Sequence, residues 1–325
     1  MIYARALHTS TLLTNAKVLV TGGANNSNHY HNTTELYDLS TQTWTMTGRM
    51  NYARAEHTAT VLIDGKVLIT GGYNITDALN SVELYDLTTE TWTMTSNMNF
   101  PRFGHMASIL SNGKVLVVGG SNGTRFLKSA ELYDPLTGTW TITGSMHVSR
   151  FDFTASVLTN GKVLIAGGVT DEDTSGGNEL YNPSTGNWIP TSDMNMQRFG
   201  HTASVLTSGQ VLVAGGFSDN FTNTAELYDS STGTWTSTGL MHQAQAFHTA
   251  SILKNGKVLV AGGYSFSSVF SKHSELYDPS TGTWITTDSV NHTRYQHTAT
   301  VLINGKVLMS GGATTDGYLN STELY

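Results

Sequence analysis

A chain of 325 residues with 17 Lys+Arg against 24 Asp+Glu carries a net charge of −7, which excludes the basic stripe that nucleic-acid binders use to neutralise phosphates. The absence of cysteine removes any disulfide framework, Cys-based zinc site or thiol nucleophile. No apolar run reaches the ~18 residues of a membrane helix, and Met1 to Leu13 lacks the basic-then-apolar order of a secretory signal.

From Met1 onward the chain reads as one unit repeated. Gly-Gly doublets begin at Gly22, Gly71, Gly119, Gly167, Gly215, Gly262 and Gly311, spaced 47 to 49 residues apart. Trp44, Trp92, Trp140, Trp188, Trp235 and Trp284 each fall seven residues after the Tyr of an E-L-Y segment. A fixed period over the whole length decides the architecture before any local reading. Within a unit, the first predicted strand is short and rich in small residues, as in His201 to Leu206. It turns through Asn-Gly or Asp-Gly, such as Asn160-Gly161 or Asp64-Gly65, where both central residues need positive φ. The second strand, K-V-L-V-A-G-G, is nearly continuous in apolar residues, as for a strand buried on both faces. The third is A-E-L-Y-D, and the fourth starts at the Trp and alternates, as in Trp140 to Thr143.

Four antiparallel strands cannot bury both faces alone. Repeated about an axis, each sheet packs on the next and only short edges remain. The expected fold is therefore all-β, a seven-bladed β-propeller of four-stranded antiparallel blades, with units at 1–50, 51–98, 99–146, 147–194, 195–241, 242–290 and 291–325. The Gly-Gly doublet, Tyr and Trp at these offsets resemble the kelch repeat across essentially residues 1 to 325. The resemblance implies that the small-residue strand lines the channel and the Trp strand is outermost. It also implies an interaction platform. Some kelch proteins are copper-radical oxidases resembling galactose oxidase, which depend on a Tyr cross-linked to Cys. This sequence has no Cys, so that chemistry is excluded for this segment.

Seven doublets but six Trp leave the last unit one outer strand short. The reading favoured is a single domain that is a fragment of a longer chain; a three-stranded last blade is the alternative.

The segment between each Gly-Gly and the next E-L-Y holds 11, 10, 10, 10, 9, 11 and 10 residues, so all length variation sits in one loop, between strands two and three. That loop emerges on the same face as the inter-blade segments, where partner-specific chemistry is written on a rigid β-scaffold. Its rings include Tyr30, Tyr73, Phe126, Phe217, Phe221, Phe266, Phe270 and Tyr318, residue types enriched at binding hot spots. The alternative is that these rings cover their own blade edges.

The inter-blade segment reads R-x-x-H at Arg5/His8, Arg54/His57, Arg102/His105, Arg198/His201 and Arg294/His297, while Arg150 precedes Phe153 and Gln245 precedes His248. A ring of His makes a metal reading available. A feature present in nearly every blade is more economically a requirement of the blade: the His satisfies backbone groups and the Arg pairs with the repeated Glu of E-L-Y. If there is one pocket, Arg102, Arg150, Arg198 and Arg294, next to Phe103, Phe151, Phe199 and Tyr295, would line its mouth. The acidic run Asp171-Glu172-Asp173 lacks the spacing of a calcium loop, and no phosphate-binding loop or nucleophile elbow is present. Six of the seven N-x-S/T sequons fall in the variable loops, which fits a secreted or cell-surface setting. The expectation is a monomeric, non-catalytic propeller that binds a protein or glycan, with no cofactor, no catalytic residue and no metal. An enzyme using a channel-mouth Arg/His site, as hydrolase, isomerase or oxidase, is the alternative.

Overall fold

The computed structural model describes residues 1–25, 29–171, 177–265 and 270–325. Seven antiparallel sheets follow one another along the chain, each in simple up-and-down order. In the second blade the strands are Thr58–Val61, Val67–Thr70, Val82–Asp86 and Thr91–Met94. The last blade has three: Thr298–Val301, Val307–Ser310 and Thr322–Leu324. The first strands of successive blades lie side by side, and that of the last blade packs beside Thr9–Leu12 of the first, so the ring is closed at the channel. The Trp strands form the outer edge, as the family resemblance implied.

The second strand is fully buried in every blade, as its unbroken apolar run requires. The core is accordingly not one mass but a series of clusters between neighbouring blades. One of them joins Leu13, Leu19 and Leu36 of the first blade to Val67, Ile69, Tyr85 and Trp92 of the second.

The repeated Tyr and Trp latch each blade to the one before. Trp92 Nε1 donates to the carbonyl of Gly48 at 3.0 Å, and the Tyr85 hydroxyl pairs with Thr47 at 2.7 Å. Trp140 and Trp235 repeat the bond to Ser96 O and Ser192 O, both at 2.9 Å. The Gly-Gly doublet is a second inter-blade contact. Gly22 and Gly23 have φ of 63° and 92°, and the Gly23 N–H donates to Arg54 O of the next blade at 2.8 Å. A Cβ on Gly22 would sit 2.5 Å from that same carbonyl, so no other residue fits. The last interface uses the same chemistry: the Gly312 N–H donates to Arg5 O at 2.9 Å, and the Met1 amine to Asn320 O at 2.8 Å.

The turns of the opposite face are uniform for a local reason. Asn or Asp at the first turn caps the backbone two residues on, as Asn15 Oδ1 does for Lys17 N at 3.1 Å. Asp38 does the same for Ser40 N at 2.9 Å, and Lys17 bridges the two turns to Asp38 at 3.3 Å.

Candidate channel-mouth site

The face that carries the variable loops is built by a short second ladder above each blade. The residue after Arg, the residue after Gly-Gly and one loop residue pair in sequence: Ala55, Tyr73 and Ala78 in the second blade, Phe103, Ser121 and Phe126 in the third, Phe199, Phe217 and Phe221 in the fifth. Three backbone positions per blade thus hold side chains around the channel, and the rings sit at these positions. Two aromatic arcs result. Tyr30 meets Tyr73 at 5.2 Å, Tyr73 meets Phe103 at 4.9 Å, and Phe103 meets Phe151 at 5.9 Å, with Phe126 stacked on Phe151 at 5.6 Å. In the second arc Phe199 meets Phe217 at 5.3 Å, Phe217 meets Phe221 at 5.2 Å, and Phe221 meets Tyr264 at 5.2 Å; Phe270 stacks on Tyr295 at 4.5 Å. Tyr318 lies between the arcs, near enough to add to the upward pKa shifts of Tyr73 and Tyr295, which burial chiefly causes. All of these rings are half-buried: they cover neighbouring blade edges with one side and keep an accessible side. Phe266 lies outside the described residues. Tyr264 was missed in the sequence, although it follows its Gly-Gly doublet as Tyr73 and Phe217 follow theirs.

The arginines stand elsewhere. Arg102, Arg150, Arg198 and Arg294, with Arg5 and Arg54, are at most 2% exposed, so the expectation that they offer guanidinium groups at a pocket mouth is corrected. Each is paired within its own blade to the Glu of E-L-Y: Arg54 with Glu83 at 2.8 Å, Arg102 with Glu131 at 3.0 Å, Arg150 with Glu179 at 3.1 Å, Arg198 with Glu226 at 2.8 Å, and Arg294 with Glu323. Arg54 also donates to the carbonyls of Gly71 and Ser81, and Glu83 accepts the N–H groups of Asn51 and Tyr52. The pair clamps the lead-in segment onto the strand 2–3 loop. A buried carboxylate with these partners has its desolvation offset, which is why the motif recurs.

The histidines are likewise structural. Across each interface the ring Nε2 meets a Thr hydroxyl on the preceding blade's first strand: His57 with Thr9 at 2.9 Å, His105 with Thr58 at 3.0 Å, His201 with Thr154 at 3.0 Å, His248 with Thr202 and His297 with Thr249 at 2.9 Å, and His8 with Thr298 at 2.9 Å. The seventh interface replaces both partners at once. Phe153 stands for the His and Met106 for the Thr, and they share one apolar cluster. Burial holds His8, His57 and His105 well below the usual imidazole range and lowers His201 and His297 to about 3 and His248 to about 4, so the rings are neutral near pH 7. Among the described residues no group of three or more His, Asp or Glu is placed to hold a metal ion.

What the sequence reading missed is the residue just before each of these His, and before Phe153 in the fourth blade. Leu7, Glu56, Gly104, Asp152, Gly200, Phe247 and Gln296 all have φ between 50° and 60°. Their backbones join from blade to blade, Glu56 N donating to Leu7 O and Gly104 N to Glu56 O, both at 3.0 Å, and Phe247 N to Gly200 O at 2.7 Å. Leu7, Glu56, Gly104, Asp152, Phe247 and Gln296 line a cavity of about 490 Å³ on the propeller axis, together with His57, Thr58, His105, Met106 and Phe151. Two carboxylates stand in this ring. Burial, with the nearby Asp152 charge second, raises Glu56 to about 7, and burial raises Asp152 to about 6. Glu56 Oε2 is shut off from solvent and has no hydrogen-bond partner among the described residues. Gly104 and Gly200 at equivalent positions were the signal that positive φ is required there.

A family model described as KLHDC2/KLHL20/DRC7 Kelch-repeats domain matches residues 1–168. The chain belongs to the kelch-repeat family. A Kelch motif model matches again at 198–239 and 248–287. Kelch propellers as a group mediate protein interactions. No curated protein matches this kelch chain. A solved structure titled "Novel fungal alcohol oxidase with catalytic diversity among the AA5 family, in complex with copper" superposes with a TM-score of 0.78 at 19% identity, covering 96% of this chain and 70% of that one. At that identity the likeness is one of fold.

Proposed function

We propose that the chain is a non-catalytic binding propeller that takes a protein or glycan ligand on the face formed by the strand 2–3 loops and the inter-blade segments. The observation that carries this reading is the pair of aromatic arcs around the channel mouth. Rings held by neighbouring blades, with one side packed and one side accessible, are preorganised, so little side-chain entropy is lost when a partner covers them. The loops between those rings differ in length from blade to blade, whereas the opposite face repeats one set of capped turns. A catalytic reading based on Arg and His lacks available groups, since both sets are buried and paired within or between blades.

The test is a screen of the full chain on peptide and glycan arrays, repeated with a triple variant Phe126→Ala, Phe217→Ala and Phe270→Ala. Ligands bound by the wild type should be lost on the variant, with its β-sheet circular dichroism intact. Retention of every ligand by a folded variant would refute the proposed face.

A further inference from the structure

We propose that the axial cavity is a receptor for one cationic side chain, a lysine or arginine presented by a partner protein, held by the carboxylates of Glu56 and Asp152 between the apolar walls of Leu7, Phe151 and Phe247. The proposal rests on the binding reading of this face and gives its ligand a chemistry.

Three observations converge on it. The cavity is large enough for a long side chain, at about 490 Å³, and opens at the centre of the aromatic arcs. Among the described residues its carboxylates have no cationic partner. No Lys or Arg lines the cavity, each lead-in arginine is paired inside its own blade, and the two lining histidines are neutral and bonded to threonines. Among the described residues Glu56 Oε2 also has no hydrogen-bond partner, and a buried acceptor left without a donor costs free energy. A lysine or arginine supplies that donor at its tip and an apolar stem for Leu7, Phe151 and Phe247, with the ring faces adding attraction for the cation. Two carboxylates are too few for a calcium ion, which takes six to eight oxygens.

The pH behaviour is part of the same assignment. Glu56 at about 7 and Asp152 at about 6 take up protons as pH falls from 8 to 5, so affinity for a fixed cation should fall over that range. The other titratable groups facing them are His57, His105 and Tyr73. Burial keeps the two imidazoles below this range, and burial with the Glu56 charge pushes the Tyr73 hydroxyl above it, so all three stay neutral.

The experiment is fluorescence anisotropy on the full chain at pH 8 with end-capped pentapeptides Gly-Gly-X-Gly-Gly, X being Lys, Arg or Glu. A Lys or Arg peptide should bind at least about tenfold more tightly than the Glu peptide. The double variant Glu56→Gln, Asp152→Asn should lose about tenfold of that affinity, along with its pH dependence, and be at least as thermally stable as the wild type. Overturning results are no binding of either cationic peptide up to about 10 mM, equal binding of the Glu peptide, or unchanged binding by the double variant. A ligand lost on the Phe126/Phe217/Phe270 variant but kept by Glu56→Gln, Asp152→Asn would overturn this proposal while leaving the binding face standing.

Discussion

Replacing Glu56 by Gln should stabilise the fold, and only above the pH at which the buried carboxyl gives up its proton. In the folded chain that proton is held to about pH 7, against an ordinary value of 4.5. Between those limits the folded state binds a proton that the unfolded chain has released, so this group's contribution to stability falls as pH rises from 4.5 to 7. The offset corresponds to about 3 kcal/mol, or about 2 kcal/mol after allowing for the part of the side chain that solvent still reaches. Gln is nearly isosteric and has no proton to lose. The variant should therefore match the wild type near pH 4 and exceed it at pH 8 by about 2–3 kcal/mol, or about 3–5 °C in Tm for a chain of this length. Asp152 titrates in both proteins, so the difference between them isolates Glu56. The assay is thermal unfolding of both proteins by circular dichroism from pH 4 to pH 8. A variant less stable than the wild type at pH 8, or a Tm difference independent of pH, would refute the placement of this carboxyl in a dry, unpaired ring.

Three further outcomes follow from the repeated contacts. His57→Phe alone should destabilise the fold by leaving Thr9 without its imidazole partner. Adding Thr9→Met, which copies the Phe153/Met106 interface, should recover stability, with a coupling of about 1 kcal/mol in a double-mutant cycle. Arg54→Met should cost about 3–5 kcal/mol by urea unfolding, because Glu83 stays buried without its counter-charge; a cost under about 1 kcal/mol would contradict the clamp. Gln245 occupies an arginine position, and both its amide atoms and the Ser274 hydroxyl of the same blade are buried without partners among the described residues. Gln245→Arg should restore the pair with Glu275 and raise the melting temperature; a fall would show that the sixth blade has repacked around the shorter side chain.

The fold was legible because the signals that define it repeat. Seven Gly-Gly doublets at nearly constant spacing specify seven second strands, and Tyr with Trp specifies the latch to the neighbouring blade. Pairing of the lead-in Arg with the E-L-Y Glu was also readable, since a Glu flanked by apolar strand residues needs a counter-charge. The His partners were not. Five of the six rings reach a Thr almost fifty residues back in the chain and His8 reaches Thr298 at its far end, and only the joint change to Phe153 and Met106 encodes that contact. The inner ring was hidden for another reason. Leu7, Glu56, Asp152, Phe247 and Gln296 share no chemistry, only a backbone conformation, and Gly104 and Gly200 alone display that requirement in residue type. The aromatic positions were legible because the rings fall just after Gly-Gly, in the loop or after the lead-in Arg, and Tyr264, which follows its doublet as Tyr73 and Phe217 do, carried the same signal.

The most direct test compares the two faces against one ligand. Titration calorimetry of a ligand selected on the arrays should be run with the wild type, with Phe126→Ala, Phe217→Ala, Phe270→Ala, and with Ile63→Ser, Leu136→Ser, Ile303→Ser. The last three positions are the exposed apolar residues of the opposite turns, at 80%, 95% and 58% accessibility. The account predicts that binding disappears on the aromatic variant and is unchanged on the turn variant. Binding that survives the first and disappears on the second would place the site on the wrong face of this description and contradict it.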